Sequence, residues 1–200
     1  MNTKTLAITI VFAAVTVALN PAISGIAVPA FYAPFLFYQI WEIPIVAAFV
    51  LISRKSGIAI AALNALILFA LFPGFLPSGP FYNLFAVLSM LAGIYIAQKA
   101  LAQGFLKGKT PNSSLQFEAK MITLSTVIGI ILRTGIMSIV NYAVLRYPYP
   151  IGYQMPETLI LGYLPLIGLF NATLALYTVP LGYSIAKVIN KNLKLNSMSK

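Results

Sequence analysis

The sequence predicts an all-α membrane protein: a six-helix transmembrane bundle with N-terminus and C-terminus both cytoplasmic. Three observations predict it. First, the chain is 60% hydrophobic and 8% charged, with a mean hydropathy of +0.92, whereas soluble domains carry about a quarter charged residues. Second, the apolar residues fall into six stretches, predicting helices over residues 5–26, 35–53, 57–72, 81–98, 121–145 and 158–189. A hydrocarbon core about 30 Å thick needs roughly 20 such residues per crossing. Third, six crossings put Lys4, Arg54, Lys55, Lys99, Lys107, Lys109, Lys120, Lys187, Lys191, Lys194 and Lys200 on one side and only Arg146 on the other. That asymmetry follows the positive-inside rule. The 200 residues thus read as a single multi-pass domain of a cell membrane, and the net charge of +10 reflects topology and not nucleic-acid binding.

The first segment, "MNTKTLAITIVFAAVTVALN", also has the form of a secretory signal, but no small-x-small cleavage site follows directly, so it is read as a helix. Ala14 and Ala18 lie one turn apart in it, with Ala22 continuing the row. Small residues at that spacing let helix backbones approach closely, within the chain or against a partner. Residues 20–39, "NPAISGIAVPAFYAPFLFYQ", carry three prolines, five aromatics and no charge. They suit a loop folded onto the membrane surface as a lid, with Phe31, Tyr32 and Phe35 covering a ligand.

The second helix contains Glu42 and Pro44. It spans only if its Glu42 end reaches the outer interface, and an acid beside a proline is ordinary chemistry for a helix start. A five-crossing alternative lays this segment at the interface and moves only Lys4 to the other side. Three asparagines interrupt the next apolar runs: Asn64 in the third, Asn83 at the start of the fourth and Asn171 in the sixth. Each carries donors and acceptors that lipid cannot satisfy, so each bonds another helix or a ligand. The connector "GFLKGKT" has three residues between its glycines where a nucleotide-binding loop needs four. It reads as a solvated basic link, so any ATP hydrolysis belongs to another chain.

The fifth segment holds the most informative residue. Arg133 stands twelve residues from both Met121 and Leu145, roughly 18 Å from each end. An arginine at that depth costs about 2.5–3.5 kcal/mol on insertion scales and must face a polar cavity or an anionic partner. Arg133, Met137 and Asn141 recur every fourth residue and share one helix face. That stripe reads as a pocket wall. The competing reading is a structural ion pair with Glu42.

The chain has no Cys, His or Asp, which excludes thiolate or imidazole metal sites, a Ser-His-Asp triad and an aspartyl dyad. No metal, cofactor or catalytic residue is expected. A membrane enzyme acting on a lipid or isoprenoid substrate is the alternative from another class, but it would need clustered acids, and Glu42, Glu118 and Glu157 are far apart in sequence. A small channel or assembly factor with a structurally buried Arg133 is a third.

The motifs, in order, resemble the substrate-binding S components of energy-coupling factor (ECF) vitamin transporters, most closely the riboflavin type. "AAVTVA" is similar to the first-helix alanine motif, and "WEIPIVAAFVLISRKSGIAIAALNAL" to the acid-Ile-Pro segment, glycine turn and Asn-bearing third helix. "GPFYNLFAVLSMLAGIYIAQK", "RTGIMSIVNYAVLRYPY" and "LPLIGLFNATLALYTVPLGYSIAKVI" resemble the fourth, fifth and sixth helices. The resemblance implies a non-catalytic subunit that binds a vitamin near its outer side and passes it to one transmembrane coupling protein with two cytoplasmic ATPases. ATP would be used only by those partners. It further implies that Ala14 and Ala18 meet the coupling protein and that Asn83, Asn141 and Asn171 are candidate ligand contacts; Arg133, Glu42 and Asn64 are further candidates from their place in the apolar segments alone. Riboflavin is the first expected cargo. The riboflavin type, however, commonly carries a lysine three residues after the sixth-helix asparagine, where this chain has Leu174, so a different vitamin or small heterocycle, or an anionic cargo with Arg133 as a polar contact, stays open.

Overall fold

The computed structural model describes residues 3–72, 74, 76–106 and 114–193. Most of the basic connector, with Lys107 and Lys109, and the tail bearing Lys194 and Lys200 lie outside them. The elements run α1 (Thr3–Ala18), α2 (Pro21–Ser24), β1 (Val28–Ala30), β2 (Ala33–Tyr38), α3 (Glu42–Leu51), α4 (Arg54–Leu71), α5 (Gly79–Leu106), α6 (Ser114–Val144) and α7 (Glu157–Leu193). Among the described residues four helices are long and apolar enough to cross a bilayer: Arg54–Leu71, Gly79–Gln103, Gln116–Val144 and Glu157–Asn192. Two shorter apolar helices, Thr5–Ala18 and Glu42–Leu51, accompany them. The chain is an integral membrane protein.

Two predicted boundaries are corrected. The first helix was expected to reach residue 26, but α1 stops at Ala18. Pro21 cannot donate to a continuing ladder, and the Asn20 side chain accepts from the Ala22 amide at 3.1 Å, starting the separate turn α2. Gly25, at φ 68°, closes that turn. The second helix was expected over 35–53, yet residues Ala33–Tyr38 form β2, paired antiparallel with β1, and helix begins only at Glu42. The aromatic run Phe35, Phe37 and Tyr38 favours strand, and pairing with Val28–Ala30 holds it extended. The bundle is therefore mostly helical with a small hairpin at one end.

That hairpin fixes the position of α3. Every residue from Trp41 to Phe49 is buried, the pattern of a helix enclosed on all sides. α3 packs against α7, α4 and α1, and at ten residues it is only about 15 Å long. Glu42 was expected at the outer interface. It lies inside the bundle instead, because strand and turn occupy the length of chain that would have been the helix's first turns.

The layer around α3 is tightly closed. A Cβ at Gly93 of α5 would lie 2.7 Å from the Gly129 backbone of α6, and one at Gly182 of α7 would lie 2.5 Å from Val46 of α3. Only residues without a side chain permit those approaches, the device membrane helices use where no hydrophobic driving force joins them. Val46, Ala47, Met90, Ile94 and Val179 fill the same layer with no exposure.

Candidate functional site

Arg133 is 2% exposed and Glu42 not at all. The two form a two-pronged ion pair: Arg133 Nη2 donates to Glu42 Oε1 at 2.9 Å and Nη1 to Oε2. Arg133 Nε donates to Asn171 Oδ1 at 3.1 Å, and the Asn171 amide donates onward to the Ile167 carbonyl at 2.9 Å. Met90 Sδ lies 3.6 Å from Nη1. Such bidentate, multiply bonded geometry is what allows a charge pair to persist away from water.

This cluster borders a cavity of about 220 Å³. The stripe Arg133, Met137 and Asn141 forms its α6 wall, Asn83 and Tyr82 come from α5, and Phe170 and Asn171 from α7. Leu36, Phe37 and Gln39 enter from the hairpin and Tyr153 from the loop after α6. The pocket and the ion pair, posed as competing readings of Arg133, coexist: the pair is part of the pocket's lining.

The polar groups differ in how far they are committed. Asn141, in the cavity lining, donates its amide to the Met137 carbonyl at 2.7 Å, and its Oδ1 has no partner among the described residues. The Asn83 carboxamide makes no hydrogen bond among the described residues. A half-buried amide without internal partners is one of the few polar groups a ligand can use at no cost to the fold. Burial beside Tyr82 pushes the Tyr153 phenol above its usual range, so it is a neutral group at neutral pH.

Other expected contacts are placed elsewhere. Phe31 is 95% exposed at the hairpin tip. Tyr32 bonds Tyr38 at 2.7 Å, and Tyr38 reaches Thr173 of α7 at 2.9 Å, so these hydroxyls fasten the hairpin and do not line the cavity. Tyr177 adds a second fastening by donating to the Gln39 carbonyl at 2.6 Å. The side chain of Phe35 lies outside the described ones. Asn64, 2% exposed in α4, is not part of the cavity lining. Leu174 is fully buried against Ala30 and Phe170 under the hairpin, an apolar position where the riboflavin-type pattern has its lysine. Ala14 and Ala18 are exposed, on the face of α1 opposite buried Phe12 and Thr16.

Sequence reasoning missed Leu36, Phe37, Gln39, Tyr82, Tyr153 and Phe170. Only pairing in a hairpin brings residues 36–39 over the later helices, and no single position in that run signals it.

At the opposite end, a cavity of about 240 Å³ is lined by Val50, Leu51, Met121, Tyr183 and the exposed pair Lys187–Glu118. Its ionic groups are solvated and weakly coupled, unlike the enclosed Arg133 cluster.

No protein-family model matches the chain, and a comparison with curated proteins gives no match. Among solved structures it is similar to the S component of a bacterial ECF transporter, with a TM-score of 0.58 and 21% identity, over 98% of this chain and 98% of that one. The chain therefore has the fold of an ECF transporter S component.

Proposed function

We propose that this protein is a membrane-embedded substrate-capture subunit of an ECF-type transporter, non-catalytic in itself, which binds a vitamin-like heterocycle from outside the cell. The observation that carries the reading is the cavity at the hairpin end, where carboxamides of α5, α6 and α7 meet aromatic and apolar walls. Aromatic faces with a few placed polar groups are what a flat heterocycle requires. In this reading both termini are cytoplasmic, the hairpin end faces outward, and six segments cross the membrane, the second being the short α3 completed by the hairpin that precedes it. Of the described cationic residues, Arg54, Lys120, Lys187 and Lys191 lie at helix ends away from the cavity and Arg146 near it, which supports that orientation.

The subunit would work with a transmembrane coupling protein and two cytoplasmic ATPases, and the exposed Ala14 and Ala18 offer a close-approach face for the coupling protein. Riboflavin is the first cargo to test, although about 220 Å³ is below the roughly 300–1,000 Å³ of sites for drug-sized ligands.

The test is thermal unfolding of the purified protein against a panel of vitamins, with mass spectrometry of any copurified small molecule. Stabilisation by one compound is expected. If none stabilises it and nothing copurifies, the capture role fails.

A further inference from the structure

Arg133 is the one permanently charged side chain among the described residues of the cavity lining, and on sequence alone it leaves an anionic ligand open. The geometry points the other way. A guanidinium has five N–H donors. Nε is committed to Asn171, Nη1 to Glu42 and Met90, and Nη2 to Glu42, which leaves one Nη2 hydrogen. Its charge is cancelled by a carboxylate with no exposure to solvent. A ligand anion entering this cavity would be desolvated next to an arginine already neutralised and a carboxylate that repels it. A neutral ligand meets neither difficulty. Among the described residues the walls offer carboxamides at Asn83 and Gln39 without side-chain partners, a free acceptor at Asn141 Oδ1, and one remaining hydrogen each on Asn171 Nδ2 and Arg133 Nη2.

We propose that the cavity selects an uncharged heterocycle with an amide-like donor–acceptor edge, and that Glu42 determines this selectivity by cancelling the charge of Arg133. The inference rests on the capture reading above and adds to it the charge class of the cargo. Glu42 acts from behind Arg133, so it sets specificity without touching the ligand.

The experiment measures binding of matched probes that differ in charge: nicotinamide against nicotinate, uracil against orotate, and riboflavin against riboflavin 5′-phosphate. Wild type is expected to prefer the neutral member of any pair it binds by about tenfold or more. Glu42→Gln, which keeps the shape but removes the charge, is expected to shift that ratio toward the anion by about tenfold or more. Acetate, able to replace the missing carboxylate, is expected to raise the Tm of Glu42→Ala and leave wild type unmoved. The double variant Glu42→Gln/Arg133→Gln, which leaves no charge to strand, is expected to retain the neutral preference.

Wild-type preference for the anionic member, or an unchanged ratio in Glu42→Gln, would overturn the inference while leaving the capture role intact. Absence of binding by all six probes, together with no stabilisation in the wider vitamin panel, would overturn the capture role and this inference with it.

Discussion

Toward the basic end of the bundle, α5, α6 and α7 close on one another and on α3 through Gly93, Gly129 and Gly182, whereas toward the hairpin end the same helices stand apart around a carboxamide-lined cavity. The Arg133–Glu42 pair lies where the two regimes meet: Gly129 is one turn before Arg133 on α6, and Val46 is one turn after Glu42 on α3. The difference follows from α3. Where α3 is present, it fills the middle of the bundle and glycines bring its neighbours close. Beyond its start at Glu42 the middle is left to a hairpin that covers the space without filling it.

The largest expected effect breaks the boundary itself. Glu42→Ala strands a buried guanidinium and should cost about 3–5 kcal/mol, read as a fall in Tm or in denaturant resistance. Replacing both partners by apolar residues, Glu42→Leu with Arg133→Met, should recover most of that loss. A double variant as unstable as the single one would show that the site depends on more than charge pairing.

Next in size, Gly93→Ala tests the closed side. The added methyl has no room against Gly129, so a loss of about 1–3 kcal/mol is expected from forced separation of α5 and α6. Gly135, where a Cβ meets nothing within 4 Å, is the control: Gly135→Ala should leave Tm unchanged or raise it slightly.

On the open side, Asn83→Leu should leave the stability of the ligand-free protein nearly unchanged and weaken ligand binding by about tenfold, the value of one or two hydrogen bonds. Equal losses of stability and binding would make Asn83 a structural residue. Tyr38→Phe removes the hydroxyl linking Tyr32 to Thr173 and should loosen the hairpin by about 0.5–1.5 kcal/mol, seen as faster amide exchange in β1 and β2.

The smallest effect is in alkali. Desolvation and the bond to Tyr38 push the Tyr32 phenol from about 10 up to about 12. Because the folded protein holds this proton more tightly than the unfolded chain, its contribution is intact below pH 10 and is lost as pH rises toward 12. Hairpin protection should fall over that window in wild type and less so in Tyr32→Phe.

These contrasts also explain what the sequence could disclose. Membrane residence was legible from hydropathy, and the Arg133, Met137 and Asn141 stripe from helical spacing, because both depend on local periodicity alone. The neighbouring asparagines 83 and 171 were legible as polar groups that lipid cannot satisfy. The depth of Glu42 was not, since it depends on whether residues 33–38 are helix or strand, and the pairing with residues 28–30 that decides this is non-local. Nor were the roles of Phe31 and Tyr32, because a hairpin's two faces are set by its register. The Gly93–Gly129 contact had a visible signal, glycines inside apolar helices, but which glycines meet is a property of the packed bundle.

The most direct test of the central claim, that the carboxamide-lined cavity holds a small molecule, is native mass spectrometry of wild type beside the double variant Asn83→Leu/Asn141→Leu. A bound small molecule is expected on wild type and absent, or strongly depleted, on a variant that unfolds at a similar temperature. An adduct retained equally by both proteins would place the ligand elsewhere and contradict the account.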